Sequence, residues 1–132
     1  MTIDKIIEMP MEEFVNYIAN AYITVIPERI ETLEEATAAA SLMAKCSNSY
    51  SYLTELYALL KIESRRAKRD QNYAKKNNDN DEIEKIYYED INDKANFTQD
   101  FAKVAKQQYD TLSRIFTIRS DNLKELKMNQ MY

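Results

Sequence analysis

Residues 61–76 read KIESRRAKRDQNYAKK, residues 77–80 read NNDN, and the stretch from 79 to 93 reads DNDEIEKIYYEDIND. The first segment carries seven Lys or Arg against Glu63 and Asp70, and the last carries seven carboxylates against Lys85. Neither contains a proline or a glycine. Two charged helical stretches of opposite sign, joined by four polar residues, predict the two arms of a helical hairpin with its turn at 77–80.

Working backward, Thr32-Leu33-Glu34-Glu35 offers a capping box, with Thr32 as N-cap and Glu35 reaching back. From there nothing interrupts the chain up to Lys76, and Ala36, Ala38, Ala39 and Ala40 are strong helix formers. An apolar stripe runs through Ala39, Met43, Cys46, Tyr50, Leu53, Tyr57, Leu60, Ser64 and Ala67 at helical spacing. Ser47-Asn48-Ser49 is the place for a kink, because these side chains compete for backbone hydrogen bonds. Working forward, Ile83, Ile86, Tyr87, Ile91, Phe97, Phe101, Val104, Ala105, Gln108, Leu112 and Ile115 resume the helical period, with a break allowed at 117–122. The expected hairpin spans about 32–76 and 80–127, and 128–132 should fray.

Upstream, 2–9 reads as a short amphipathic helix on Ile3, Ile6 and Ile7. Pro10 suits the first turn of a second helix over 10–25, which Pro27 stops. Residues 1–31 therefore supply shorter N-terminal helices, and the 132 residues form a single all-helical domain. The chain has no Gly, which disfavours a turn-rich β fold and leaves Asn and Asp for left-handed turn positions. The fold class is all-α: a bundle built on a long antiparallel hairpin, with the N-terminal helix covering its apolar half.

Folding the arms about the turn brings Lys76 near Asp81, Lys75 near Glu82, Arg69 near Glu89, and Arg65 near Asn92 and Asp93. Leu60 then faces Phe97, Tyr57 faces Phe101 or Asp100, and Leu53 faces Val104. Opposite charges meeting along the arm are expected to set its register.

The net charge is −4, but it is segregated: residues 1–40 hold eight acids and two bases, the run 61–76 is strongly basic, and 79–93 strongly acidic. Local patches therefore decide what the protein attracts. With no His and a single Cys, the commonest general base, the commonest metal ligand and any internal disulfide are missing, so Cys46 reads as a small buried hydrophobe. The N-terminal residues are broken by charges, and no apolar run approaches membrane-spanning length. The cytoplasm is the expected compartment, that of the host if the chain is phage-encoded, and no membrane contact is expected.

Three sets of residues stand as candidate sites. Arg65, Arg66, Lys68, Arg69 and Tyr73 supply phosphate-binding charge and a stacking ring. Against this, the return arm offers carboxylates that neutralise the run. Glu84, Glu89 and Asp90 make an acidic partner surface pointing away from the seam, with 28–35 as a second acidic stretch. Ile115, Phe116, Ile118, Leu123 and Met131 form a self-association stripe for a homodimer, since a thin two-helix arm buries little surface alone.

Glu31-x-x-Glu34-Glu35 and Glu89-Asp90-x-x-Asp93 place acids on neighbouring helical turns. In this they resemble the EExxE and ExxD motifs with which all-helical nucleotide pyrophosphohydrolases of the MazG type hold Mg²⁺. Here the order of Glu31, Glu34 and Glu35 is reversed, the second motif is off by a residue, and the hairpin places Glu34 near Leu123 and away from Glu89. Helix-start acids and tip salt bridges account for both sets, so no metal, cofactor or catalytic residue is expected.

In general style, over its whole length and through no single motif, the chain resembles small glycine-poor helical accessory proteins of phages and mobile elements. That likeness implies a non-catalytic interaction protein binding a protein or nucleoprotein partner, for example an inhibitor of a host defence nuclease of the anti-CRISPR kind. A nucleic-acid-binding accessory protein using the basic arm is the alternative, and a Mg-dependent pyrophosphohydrolase-like enzyme comes third.

Overall fold

The structure is a computed structural model that describes the backbone of residues 1–131 and the side chains of residues 1–117 and of Met128. Four helices follow in order: α1 (Ile3–Glu8), α2 (Met11–Tyr22), α3 (Leu33–Lys76) and α4 (Glu82–Met131). The described residues contain no strand. The fold is all-α, with α3 and α4 packed along each other as a long antiparallel hairpin and α2 laid on α4 and α3. At about 1.5 Å per residue α3 runs roughly 66 Å, and it is helical without interruption through Ser47, Asn48 and Ser49. Likewise α4 passes unbroken through 117–122.

The ends of α3 follow local chemistry. Thr32 Oγ1 accepts from the Glu35 N–H at 3.1 Å, and the Glu35 carboxylate accepts from the Glu31 N–H at 2.7 Å, one residue further back than a standard capping box. At the other end Asn78 takes φ 58°, the left-handed position that glycine usually fills. The Asn78 N–H donates to the Lys75 carbonyl and the Asp79 N–H to the Ala74 carbonyl, closing a Schellman motif. Asn80 Oδ1 then accepts from the Glu82 N–H as α4 begins.

The N-terminal segment departs from expectation in one place. α2 ends at Tyr22, short of Val25, which is exposed. The run Ile23-Thr24-Val25-Ile26 is β-branched and favours extended backbone. It is held by Gln108, whose Nε2 donates to the Thr24 carbonyl at 2.6 Å while its Oε1 accepts from the Thr24 N–H at 3.4 Å.

Two clusters make the core. Phe14 and Ile18 of α2 and Ile6 of α1 close on Leu53, Leu56 and Leu60 of α3 and on Ile91, Ala95, Ala102 and Ala105 of α4. Ile30, Ala39, Cys46 and Leu112 form the second cluster, nearer the open end of the hairpin. Cys46 sits there as a buried thiol whose pKa burial pushes up, in keeping with a packing role.

The seam between α3 and α4 corrects the expected pairing. Lys75 with Asp81, Lys68 with Tyr88 and Ser64 with Asn92 put the register within one residue of that expected. The side chains that meet are different. Phe97 and Val104 are exposed and Phe101 is half-buried, while Ala95, Thr98, Ala102 and Ala105 lie inside. Ser49, Ser64, Ala67 and Ala74 match them on α3. Small residues on both sides let two long helices approach closely, which large aromatics on the seam would prevent. Among the described residues only Lys75 and Asp81 form an ion pair across the arm, at 3.9 Å. Register therefore comes from small-residue packing and from Asn92 and Gln71, and not from the ladder of opposite charges.

Candidate functional site

The expected basic site does not stay together. Arg66 pairs with Glu63 one turn back, at 2.8 Å, and Lys68 donates to Gln71 Oε1 at 3.3 Å and stands 5.0 Å over the Tyr88 ring. Arg65 and Arg69 are exposed, and among the described residues neither is in an ion pair. Successive helical residues turn by about 100°, so Arg66 and Lys68 leave α3 on different sides. Tyr73, about three turns on from Ile62, is 70% exposed.

The acidic set also divides. Asp90 is engaged by Lys94, Glu84 is half-buried with one carboxylate oxygen buried and without a hydrogen-bond partner, and Glu89 is exposed. Glu84 therefore turns toward the seam, contrary to expectation. In the self-association stripe, Ile115 is half-buried against the second core cluster and Phe116 is exposed. Ile118, Leu123 and Met131 lie outside the residues whose side chains are described. Among the described residues no three Asp, Glu or Cys side chains converge as a metal-binding group, and no helix is long and apolar enough to cross a membrane.

Lys94, which the sequence reading passed over, is the most engaged cation among the described residues. Its side chain has no solvent exposure. Its Nζ donates to the carbonyls of Ile7 at 2.8 Å and Met9 at 2.6 Å, and pairs with Asp90 Oδ2 at 2.8 Å. The Phe14 ring lies 6.0 Å away. This ammonium occupies the C-terminal end of α1, where unpaired carbonyls and the helix dipole favour a cation. It pins the α1–α2 junction to α4. The available signal was phase: Lys94 falls one turn from Ile91 and from Thr98, both buried, and one turn after Asp90.

With α1 and α2 pinned on one side, the hairpin has two unlike faces. On the α1 side, Ile3 and Ile7 share a groove with Leu59, Ile62 and Tyr87. The Tyr87 hydroxyl donates to Glu63 Oε1 at 3.0 Å, and burial, then this carboxylate, raise its pKa. From Ile62 toward the tip, no other described helix packs on the arm. Ile62, Ile83 and Ile86 expose 62%, 81% and 60% of their surface, and Ile83 stands one turn from Tyr87 toward the tip. On the opposite side, a groove is lined by α3 and α4 alone, through Tyr50, Thr54, Tyr57, Gln99, Lys103 and Lys106. No family model, curated protein or solved structure matches the chain.

Proposed function

We propose that the protein is a non-catalytic interaction protein that docks the α1-side face of its hairpin arm on a protein or nucleoprotein partner. One observation carries this reading: Ile62, Tyr73, Ile83 and Ile86 each leave more than half of their surface in water on a two-helix arm that, among the described residues, only α1 touches, at the Ile62 end. Clustered exposed apolar side chains mark interaction sites, whereas scattered ones do not. Exposed acids rim the tip, among them Asp79, Glu82 and Glu89. The matching partner surface has an apolar centre and a basic rim, as in a nucleic-acid channel, where carboxylates take the place of phosphates. If the chain is phage-encoded, inhibition of a host defence nuclease is the form this takes.

The test compares what co-purifies from source cells with the wild-type protein and with an Ile83→Asp/Ile86→Asp variant. Both positions are exposed, so the variant keeps its helical circular dichroism. A partner held by the wild type and lost by the variant supports the reading. Identical partner sets overturn it.

A further inference from the structure

The uncovered face carries a second surface that is independent of the apolar arm. On α3, Tyr50, Tyr57, Lys61 and Lys68 recur at spacings of seven, four and seven, which is one stripe of a helix. On α4, Asn92, Gln99, Lys103 and Lys106 recur at seven, four and three. The hairpin sets the two stripes side by side. Lys103 and Lys106 share a groove with Tyr50 and Tyr57, Lys61 reaches Asn92 at 3.4 Å, and Lys68 stands over the Tyr88 ring. The grooves on the other side of the hairpin include residues of α1 or α2, whereas this one has none.

Lys61, Lys68, Lys103 and Lys106 form no ion pair among the described residues. Three of the acids nearby are engaged by other groups: Glu63 holds Arg66, Asp81 holds Lys75 and Gln71, and Asp90 holds Lys94. Carboxylates stand at its ends: Asp81 and exposed Glu89 toward the tip, and Asp110 four residues beyond Lys106. A second copy on this face would bring its lysines against the same lysines, so the fitting occupant is an anion. Unpaired cations spaced along a groove, with tyrosine rings between them, match a sugar-phosphate backbone with unstacked bases.

We propose that this face binds a single-stranded nucleic acid, with Lys61, Lys68, Lys103 and Lys106 on phosphates and Tyr50 and Tyr57 stacking on bases. From Tyr50 to Lys68 the stripe, with the groove at its Tyr50–Tyr57 end, runs about 27 Å at the rise of an α-helix, which accommodates a short strand. Arg65, four residues after Lys61 and three before Lys68, falls on the same stripe, whereas Arg66, held by Glu63 on the other side, is not required.

The test is fluorescence anisotropy with labelled single strands of about 20 nucleotides, oligothymidylate and oligouridylate in separate arms, and a duplex of the same length. Binding to either single strand should weaken with salt at a logarithmic slope of about −3, from about 0.7 per neutralised phosphate. Lys103→Glu/Lys106→Glu and Lys61→Glu/Lys68→Glu should each weaken it about tenfold or more at low salt, and Tyr50→Ala should weaken it without changing the slope. Arg66→Glu, on the other side of the arm, should leave it unchanged. Preference for the thymidylate or uridylate strand identifies DNA or RNA as the source, and either supports the proposal. Absence of binding at about 50 mM salt, tighter binding of the duplex, or an Arg66→Glu loss equal to that of Lys103→Glu/Lys106→Glu overturns it. Unchanged helical circular dichroism shows that a loss in the lysine variants is not unfolding.

Discussion

The Lys94 ammonium donates to the Met9 carbonyl oxygen at 2.6 Å from a position with no exposure to solvent. Four residues are tied to one charge in this way: Ile7 of α1, Met9 that caps it, Asp90 of α4 and, through its ring, Phe14 of α2. The contact fixes which side of the hairpin the N-terminal helices cover. It thereby decides which face of the arm stays apolar and bare and which becomes the lysine–tyrosine groove.

Replacing Lys94 by Met removes the cation and strands two carbonyls and the Asp90 carboxylate. Breaking a buried charge pair from one side costs about 3–5 kcal/mol, and the partial exposure of Asp90 places this one toward the lower end. Urea unfolding should show a midpoint lowered accordingly. Lys94→Met/Asp90→Leu should recover part of the loss, because the stranded carboxylate is then gone.

Ala67 is buried on the seam beside Ser64 and Ala74. Ala67→Leu adds three carbons where the helices touch, and over-packing costs about 1–3 kcal/mol. The effect should be confined to the arm: amide hydrogen exchange should quicken from about residue 60 to 95 and stay unchanged around Phe14 and Ile18. A ladder of charges setting the register would predict the opposite sensitivity, small for Ala67→Leu and large for Lys75→Gln.

Asp81 accepts from Gln71 Nε2 at 3.1 Å, and this hydrogen bond, helped by Lys75, holds its carboxyl below the usual aspartate range. A lowered pKa in the folded state stabilises the tip fully above the unfolded value of about 3.9. That contribution is lost as the pH falls through the folded value. Tip protection should therefore fall below about pH 4, and Gln71→Ala should lower that protection at neutral pH and flatten its fall in acid. Equal acid-dependent falls in both proteins would remove the Gln71 tie from the account.

Tyr22 stacks on Tyr52 with ring centroids 4.5 Å apart, and Tyr17 meets Tyr22 edge-on at 6.1 Å. Burial raises the Tyr22 pKa far above the ordinary phenol value, and burial also raises that of Tyr52. The folded state thus favours the neutral rings. Their contribution is complete below about pH 10 and is lost as the pH rises through the folded values. Ultraviolet titration should show these phenols ionising above the ordinary phenol range, in step with loss of helical signal.

Much of this fold was legible in residues 61–93. The all-α class, expected from the glycine-free composition, and the hairpin turn at 77–80 are reproduced in the structure, and the register agrees within one residue though not for the reason expected. What periodicity did not resolve was which of two adjacent stripes on α4 faces α3. Phe97 and Val104 are the more hydrophobic, but Ala95, Thr98 and Ala102 are the ones that fit between closely packed helices. Size at the contact outweighed hydropathy. Lys94 was passed over for a related reason: a lysine is read as solvated, and the carbonyls that bury this one come from a segment about 85 residues away in sequence. The candidate site changed most. A charge run seen in one dimension is a single patch, but an α-helix distributes it around its axis. The same step that sent Arg66 to Glu63 brought Lys68 into line with Lys103 and Lys106 from the other arm.

The central functional claim is that the bare apolar face of the arm is covered by a partner. A photo-crosslinking amino acid placed at position 86, in source cells, tests it most directly. The account predicts one discrete adduct to a protein other than the chain itself. It should be abolished by Ile83→Asp and retained in Lys103→Glu/Lys106→Glu. No adduct, an adduct at twice the chain's own mass, or an adduct indifferent to Ile83→Asp would contradict it.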